Sequence, residues 1–285
     1  MDMIMVQGCR SNSGKSTVAT ALAKIYAEKG LRVSPFKSWN MGSNSYKTNR
    51  GGEIGVGQAV QARAAGTIPD VNMQPLLVKP AEDGQTELLV KGKPYLKEAN
   101  IKKENYLELG MKTIEDSLNI LKKEYDLLVL EGSGSPVEIN VKDRDLANMK
   151  TALLNNTPVI LVADIKRGGV FASIIGTMEL LEPEEKELVK GFIINKFHGD
   201  KSILKSGIDY LEERTGKPVL GVLPYIDDIN LPEEDTISLT EAETKKLNFA
   251  QSNYENENLE RDFQKLAEIF KNNIDMEKID DIIFA

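Results

Sequence analysis

The stretch GCRSNSGKST, residues 8–17, joins a predicted strand to a predicted helix and decides the fold. The strand before it is MIMVQ, residues 3–7, and the helix after it is KSTVATALAKIYAEKG, residues 15–30. A helix that begins at such a loop directs its unpaired amides and partial positive charge into the loop. The stretch therefore predicts a phosphate-binding loop, although five residues rather than four separate its first glycine from its GKS triplet.

The loop carries the groups that a nucleotide requires. Lys15 adds a positive charge for the β- and γ-phosphates, and the Ser16 hydroxyl is in the position that ligates Mg²⁺ in such loops. The extra residue is compatible with this function because small residues keep the loop backbone accessible. The predicted nucleotide-binding set is Ser11, Asn12, Ser13, Gly14, Lys15, Ser16 and Thr17.

Short apolar runs alternate with helical patterns along most of the chain. MIMVQ, LRVSPF, YDLLVLEG, PVILVADI, GFIINKF and PVLGVLPY have the length and the apolar character of strands covered on both faces. Residues 15–29, 105–123, 170–181 and 202–215 have helical length and spacing. The predicted fold is therefore α/β and P-loop NTPase-like, a mostly parallel sheet with helices on both faces.

Two segments depart from this alternation. PLLVKP and TELLVKGKPY are short strand patterns that predict a small β-hairpin insertion. From about residue 233 the chain becomes polar and charged, with one amphipathic helix whose apolar residues are Leu259, Phe263, Leu266 and Phe270. We therefore predict one main domain over residues 1–235 and a polar linker with a C-terminal helical tail over residues 236–285.

The composition indicates a soluble globular protein with small-molecule or protein partners. Its 285 residues carry a formal net charge of -8 with a pI near 5.0, which argues against nucleic acid as a partner. No apolar run approaches the roughly 20 residues of a membrane span, and the N terminus lacks the pattern of a signal peptide. The single cysteine, Cys9, excludes an intramolecular disulfide and fits a reducing compartment. The cytoplasm is the expected location.

Six further stretches, together with the loop, resemble a known family. They are SPFKSWNMGSNSY (34–46), GGEIGVGQAVQARAAG (51–66), LVLEGSGSPVEINVKDRDLANM (128–149), VADIKRGGVFASIIGT (162–177), KGFIINKFHGD (190–200) and GKPVLGVLPY (216–225). In this order they are similar to the ATP-dependent synthetase domain of cobyric acid synthase, a relative of dethiobiotin synthetase. The resemblance extends over about residues 3–235.

This resemblance implies an ATP- and Mg²⁺-dependent ligase. It implies amidation of the b, d, e and g carboxylates of cobyrinic acid a,c-diamide, or of its adenosyl form, giving cobyric acid in cobalamin biosynthesis. A carboxylate resists attack by ammonia because it is anionic and has no good leaving group. Transfer of the γ-phosphoryl group makes an acyl phosphate, from which ammonia displaces phosphate. Positioning and charge neutralisation should dominate such a transfer.

Strand ends supply the predicted residues around the phosphates. Lys37 follows the second strand, where side chains face the ligand crevice, and would clamp the transferred group together with Lys15. A surface lysine is the alternative for Lys37. Glu131 ends a strand where a carboxylate can hold Mg²⁺ with Ser16. Glu53 is a second metal ligand by resemblance, with an exposed loop carboxylate as the alternative.

Adenine recognition is predicted for Asn195, because an amide both donates to and accepts from the edge of a base. Pro224 is expected to close over the ring. Asn195 could instead cap the turn that follows its strand.

The stretches VKDRDLANM and DIKRGGVFAS carry a dense charge pattern for the corrinoid side of the site. Asp143 and Asp145 are predicted to be catalytic, by positioning ammonium, holding metal or orienting arginines. Arginines pair bidentately with carboxylates, which suits a polycarboxylate substrate. A structural Asp/Arg network at a helix start is the alternative. The predicted substrate contacts are Asn40, Asn44, Gln58, Ser133, Arg144, Asp164 and Arg167.

Two departures from the family limit what the resemblance implies. The family usually has Pro-Gln after the strand-end lysine, whereas Ser38 and Trp39 stand here. Full cobyric acid synthases also carry a glutamine amidotransferase domain with a catalytic cysteine and histidine. Here the single cysteine lies in the phosphate loop and the single histidine, His198, follows the predicted adenine strand, so neither can form such a pair. The ammonia is expected from a separate glutaminase subunit or from solution.

Some alternatives stay open at this point. We expect a stand-alone chain, with a fragment of a longer protein as the alternative, and a homodimer is a candidate assembly. A ParA- or MinD-like nucleotide-switched ATPase is the main alternative function. The loops of that class resemble KGGxGK, with a lysine near the start, where this chain has Gln7, Gly8 and Cys9. An amidoligase for another tetrapyrrole polycarboxylate is the third possibility.

Overall fold

The structure is a computed structural model that describes residues 1–80, 86–97, 103–229, 231 and 253–285. The strands are β1 (Asp2–Gly8), β2 (Val33–Phe36), β3 (Trp39–Met41), β4 (Ser45–Lys47), β5 (Glu53–Gly55), β6 (Leu76–Pro80), β7 (Thr86–Val90), β8 (Lys93–Lys97), β9 (Leu127–Glu131), β10 (Val159–Asp164), β11 (Val189–Phe197) and β12 (Val219–Pro224). The helices are α1 (Lys15–Glu28), α2 (Val56–Ala64), α3 (Lys103–Glu124), α4 (Met149–Leu153), α5 (Val170–Leu180), α6 (Pro183–Leu188), α7 (Lys205–Thr215), α8 (Asn253–Asn273) and α9 (Met276–Phe284). Short 3-10 turns lie at Val71–Met73, Ile139–Arg144 and Lys201–Leu204.

A six-stranded sheet forms the centre of the molecule, in the order β12-β11-β10-β1-β9-β2. Every neighbouring pair in it is parallel. β1 shows why the strands are apolar throughout, since Ile4 belongs to the hydrophobic core on one face and Met5 to the core on the other. Because both faces are buried, consecutive residues are apolar instead of alternating with polar ones. The predicted parallel sheet is confirmed.

Helices cover both faces, as the sequence predicts. On one face α3, α5 and α7 contribute Leu118, Ile174 and Leu211 to the core. On the other face α1 packs through Leu22. Because β1 and β9 are parallel neighbours, the loops that follow them emerge side by side at the carboxyl edge of the sheet. Open α/β sheets bind ligands at this edge.

The predicted hairpin is part of a second sheet, in the order β3-β6-β7-β8. β6 and β7 are antiparallel, as are β7 and β8, whereas β3 lies parallel to β6. β3, the small β4-β5 ladder and α2 were not predicted from the sequence. Gln58 and Gln61 of α2 are polar but fully buried. A helix is predicted from apolar residues that recur on its inner face, and these two glutamines interrupt that period.

The C-terminal tail is helical and packs into the main core. Leu266 and Phe270 of α8 and Ile279 of α9 are buried in the cluster that covers α1. The amide of Asp275 donates to the carbonyl oxygen of Leu220 at 2.8 Å, and the Tyr26 hydroxyl donates to Asp280 Oδ1 at 2.7 Å. The linker around residues 232–252 lies outside the described residues, so the division at residue 235 stays a prediction. Among the described helices, none combines the length and the apolar character needed to cross a membrane.

Candidate functional site

A cleft of about 510 Å³ opens at the carboxyl edge of the central sheet. Its wall combines the loop after β1 with residues at or just after the ends of β2, β9, β10 and β11, with part of β3, and with one side of α2. The predicted site residues that line it are Ser11, Asn12, Gly14, Lys15, Ser16, Thr17, Lys37, Asn40, Glu131, Ser133 and Arg167. The cleft thus brings together residues that are up to 220 positions apart in the sequence, from Ser11 to Leu231.

The phosphate loop is held in its shape from behind. Gly14 has a left-handed backbone with φ of 98° and begins α1. The Asn195 side chain donates from Nδ2 to the carbonyl oxygen of Ser13 at 3.0 Å. A Cβ atom on Gly14 would lie only 2.0 Å from the same Nδ2 atom. Glycine is therefore required here both by the backbone conformation and by the close approach of Asn195.

Lys15 lies between two loops. Its Nζ donates to the carbonyl oxygen of Gly134 at 3.0 Å and to that of Arg10 at 3.3 Å. Lys15 is buried, with 7% of its surface exposed. Its charge is thus directed to the place where the helix amides converge, which suits a phosphate group.

Glu131 is the centre of the buried charge network. Its Oε1 accepts from the Ser16 hydroxyl at 2.8 Å and from Lys37 Nζ at 3.1 Å, and its Oε2 accepts from Gln61 Nε2 at 2.5 Å. Complete burial acts to raise the pKa of Glu131, but the charges of Lys37 and Lys15 and the two hydrogen bonds outweigh it and hold the pKa below its usual value. Glu131 is therefore ionised at neutral pH.

Glu131 and Ser16 form a pair of oxygen donors that fits Mg²⁺. This ion usually takes one or two protein oxygens and completes its shell with water and phosphate oxygens. Both residues line the cleft, where Ser16 is exposed and Glu131 is 1% exposed. Among the described residues no group of three or more His, Cys, Asp or Glu side chains could hold a metal alone.

Glu53, the other predicted metal ligand, is already paired and does not belong to the cleft wall. Its Oε2 accepts from Lys79 Nζ at 2.7 Å and from the Ser45 hydroxyl at 2.6 Å. The hydrogen bonds from Lys79 and Ser45 lower the pKa of Glu53. This carboxylate joins β5 to β6 in the present geometry.

Asp164 holds cations at the front of the phosphate loop. Its Oδ2 lies 2.7 Å from Arg10 Nη2 and 3.4 Å from Lys196 Nζ, and its Oδ1 accepts from the Lys166 amide at 2.7 Å. Lys196 Nζ also donates to the carbonyl oxygen of Asn12 at 2.5 Å. Burial acts to raise the pKa of Asp164, but the amide and these cations hold it below its usual value. Asp164, which was predicted to contact the substrate, is thus already paired with Arg10 and Lys196 of the same chain.

The region predicted for adenine contains Asn195 and Pro224, which lie beside the phosphate loop and at the end of β12. Asn195 Oδ1 accepts from the amide of Lys196 at 2.8 Å. The rings of His198 and Tyr225 stack with centroids 4.7 Å apart, and Lys166 Nζ lies 4.0 Å from the centre of the Tyr225 ring. His198 is therefore engaged with an aromatic ring next to this region.

Asp143, Arg144 and Asp145 do not line the cleft. The side chains of Asp143 and Arg144 are more than half exposed, and Arg144 Nε lies 3.8 Å from Asp143 Oδ1. Asp145 accepts from the amides of Ala147, Asn148 and Met149. Burial raises the pKa of Asp145 even though these amides act to lower it. Asp145 therefore stabilises the start of α4, and a catalytic role for Asp143 and Asp145 stays a prediction.

The other predicted substrate contacts differ in their surroundings. Asn40 is 3% exposed and lines the cleft, and its Nδ2 has no hydrogen-bond partner among the described residues. Gln58 accepts from Gln74 Nε2 at 2.9 Å, behind the cleft. Ser133 and Arg167 lie in the wall, and Asn44 is partly exposed between β3 and β4. A buried amide donor without a partner, as in Asn40, is costly unless a ligand accepts its hydrogen bond.

The residues that depart from the family pattern have structural partners. The Ser38 hydroxyl donates to the carbonyl oxygen of Leu146 at 2.6 Å, and Trp39 Nε1 donates to the Tyr106 hydroxyl at 2.6 Å. They join β3 to the loop before α4 and to α3.

Burial raises the pKa of the Cys9 thiol to about 11, although the Thr177 hydroxyl and Lys15 act to lower it.

Several residues of the site were not predicted from the sequence, and two of them, Gln61 and Lys196, make polar contacts there. Gln61, which donates to Glu131, stands three residues after Gln58, a spacing that places both on one helix face and could have pointed to it. Lys196, which lines the cleft, directly follows the predicted adenine residue at a strand end. It also has a left-handed backbone, with φ of 63°, which is rare outside glycine.

Comparison with known proteins gives the family of this chain. Residues 4–239 match the model of the CobQ/CobB/MinD/ParA nucleotide binding domain. The cobyric acid synthase of Trichormus variabilis is 51% identical over 247 residues, which cover 86% of this chain and 50% of that protein. The cobyric acid synthase of Desulforamulus reducens is 51% identical over 237 residues, 83% of this chain and 46% of that protein. The chain thus spans about half the length of these curated relatives.

Among solved structures, the MinC:MinD cell division complex of Aquifex aeolicus matches with a TM-score of 0.44 and 14% identity, covering 80% of this chain and 83% of that chain. The family model covers most of the chain, and its nucleotide-binding assignment agrees with the loop, sheet order and cleft described above. The chain belongs to the CobQ/CobB/MinD/ParA nucleotide binding domain family.

Proposed function

We propose that this member of the nucleotide binding domain family is the ATP-dependent synthetase part of a cobyric acid synthase. It would convert the b, d, e and g carboxylates of cobyrinic acid a,c-diamide, or of its adenosyl form, to amides. The observation that carries the proposal is that buried Lys15, Lys37 and Glu131 meet the exposed Ser16 at one cleft. Two curated relatives that are 51% identical in sequence to this chain are named cobyric acid synthase. Their name supports the choice of substrate.

The cleft suits a phosphoryl transfer to a carboxylate. Lys15 and the amides at the start of α1 would hold the β- and γ-phosphates, and Lys37 would stabilise the charge on the transferred group. Ser16 and Glu131 would hold Mg²⁺, which would supply positive charge to offset that of the phosphates. Because Lys37 and Glu131 are both almost completely buried, their charges act in a region with little water to screen them.

The substrate carboxylate is proposed to enter beside Lys37. Asn40 offers its unpaired Nδ2 as a donor for one carboxylate oxygen. Arg167, which also lines the cleft, would pair with another peripheral carboxylate of the macrocycle. A carboxylate oxygen attacks the γ-phosphorus, ADP leaves, and ammonia then displaces inorganic phosphate from the acyl phosphate and loses a proton.

The ammonia is proposed to come from a glutaminase or from solution. Within the described residues, Cys9 and His198 do not make a nucleophile and base pair, since Cys9 lies beside Thr177 and Lys15 while His198 stacks on Tyr225. The thiol also has a raised pKa, which disfavours the reactive thiolate.

The decisive test combines purified protein, ammonium chloride, MgATP and cobyrinic acid a,c-diamide. We expect stepwise mass changes for four amidations, with ADP and phosphate released only when the corrinoid is present. Lys15→Met should abolish this turnover, whereas Lys190→Met, which changes an exposed lysine of β11, should retain it. Absence of both amidated product and corrinoid-stimulated ADP release would refute the proposal.

A nucleotide-driven change of assembly would support the ParA- or MinD-like alternative instead. Size-exclusion chromatography with ADP and with a slowly hydrolysed ATP analogue distinguishes the two. Dimerisation that depends on the ATP analogue, together with ATP hydrolysis that ignores the corrinoid, would favour the switch.

A further inference from the structure

α2 carries two features of the cleft on one short helix. Gln61 donates to Oε2 of Glu131 at 2.5 Å, and Gly57 and Val60 form part of the cleft wall. The position of α2 therefore controls both the orientation of the buried carboxylate and the width of the cleft.

The outer side of α2 is packed by the C-terminal tail. Phe263 of α8, 1% exposed, forms a separate small core with Val56, Val60 and Ala64 of α2. Leu231, which lines the cleft, packs against the same cluster. Val60 thus belongs to the cluster around Phe263 and also forms part of the cleft wall, so it links Phe263 to the cleft.

The tail itself is fixed on α1 by contacts that do not involve α2. Lys24 of α1 pairs with Glu260, and Glu28 of α1 pairs with Lys271 at 3.0 Å. Phe270, one of the largest fully buried side chains, belongs to the core on that face of the central sheet. α8 is therefore anchored on the helix that carries the phosphate loop and reaches across to α2.

We propose that Phe263 is a positioning residue of the nucleotide site, which acts through α2 on Gln61 and on the cleft wall. The C-terminal tail then belongs to the working site, because Phe263 packs against Val60 of α2, which also forms part of the cleft wall. This inference rests on the proposed function only in that the cleft binds MgATP and MgADP.

Two phenylalanines of α8 provide a matched experiment, since each is 1% exposed. Phe263→Ala and Phe270→Ala should lower the urea midpoint by similar amounts, because each removes the same buried side-chain atoms. Calorimetric titration with MgADP, at a temperature where both variants are folded, should show about tenfold weaker binding for Phe263→Ala only. Binding by Phe270→Ala should stay within about twofold of the unchanged protein.

A double substitution tests the route of the effect. When Gln61→Ala is already present, Phe263→Ala should change MgADP affinity by a smaller factor than it does alone, since both act on the same hydrogen bond. Equal factors in the two backgrounds would overturn the proposal, and so would equal loss of affinity in the two phenylalanine variants. If Phe263→Ala does not fold, Phe263→Leu takes its place, and an affinity within about twofold of the unchanged protein would then refute the role.

MgADP binding needs no corrinoid, so this experiment is independent of the amidation assay. A protein that binds MgADP but does not amidate the corrinoid would refute the proposed substrate and leave the role of Phe263 open to the same test. Conversely, corrinoid amidation with unaltered MgADP binding in Phe263→Ala would refute only the positioning role.

Discussion

Lys37 Nζ lies 3.1 Å from Oε1 of Glu131, and the two side chains are 5% and 1% exposed. An ion pair this deeply buried is costly to break, because the partner left behind is a charge without compensation. The pair therefore links the chemistry of the cleft to the stability of the folded protein.

Glu131→Gln should make this link measurable through pH. At pH 7 the substitution should lower the free energy of unfolding by about 3 kcal/mol, because Lys37 and Lys15 lose their buried counter-charge. The folded-state pKa of Glu131 is lowered, so its stabilising effect is complete above the unfolded pKa of about 4.3 and is lost as pH falls through the folded value.

Urea unfolding between pH 7 and about pH 3 measures this prediction. The difference between the unchanged protein and Glu131→Gln should shrink as the pH falls below about 4. Glu213→Gln, which changes an exposed glutamate of α7, should differ little from the unchanged protein at any pH. A difference for Glu131→Gln that stays constant down to pH 3 would contradict the assignment of Glu131 as a buried carboxylate with a lowered pKa.

Gly14 and Gly30 flank α1 and offer a second matched pair. Both have positive φ, 98° and 89°, so alanine should cost about 1 to 2 kcal/mol of backbone strain at either position. Only at Gly14 would the new Cβ collide, 2.0 Å from Asn195 Nδ2, whereas nothing lies within 4 Å at Gly30. Gly14→Ala should therefore abolish measurable MgADP binding, and Gly30→Ala should retain it. Similar binding by the two variants would show that the contact with Asn195 does not shape the loop.

The main sheet and the phosphate loop could be predicted because each depends on local sequence. β1 is apolar throughout and runs directly into a small, polar loop and then a helix, so strand, loop and helix are each visible in one window. The position of Lys37 and Glu131 at strand ends followed from the rule that parallel strands present their carboxyl ends at one edge. Local pattern and global topology agree at these positions.

Other parts depend on which side chains meet in space, and the sequence could not supply that. Glu53 and Asp164 are charged residues in the motifs, but pairing with Lys79 and Arg10 engages both of them. The packing of Phe263 on α2 joins residues about 200 positions apart, and the amphipathic pattern of α8 gives the inner face without naming its partner. The role of Gln61 was hidden because a buried glutamine interrupts the apolar period.

Lys196 joins the phosphate loop to the end of β11, and its charge should matter for nucleotide binding. Its Nζ donates to the Asn12 carbonyl at 2.5 Å and lies 3.4 Å from Asp164. Lys196→Met keeps most of the stem but removes the donor, so the loop should lose a restraint and MgADP should bind about tenfold more weakly. Lys190→Met, an exposed lysine on the same strand, serves as the control in calorimetric titration. Unchanged affinity in Lys196→Met would show that the loop keeps its shape without this contact.

Cys9 should be nearly inert toward thiol reagents in the folded protein. Burial raises its pKa to about 11, so only about one thiol in a thousand is ionised at pH 8, and the thiolate is the reactive form. Because the chain has a single cysteine, mass spectrometry after treatment with iodoacetamide reports on this site alone. Alkylation should be slow at pH 8, complete in concentrated urea, and faster in the folded state only as pH approaches 11. Rapid alkylation of the folded protein at pH 8 would contradict the raised pKa. It would also make Cys9 a candidate nucleophile, whereas the proposed function takes its ammonia from a separate source.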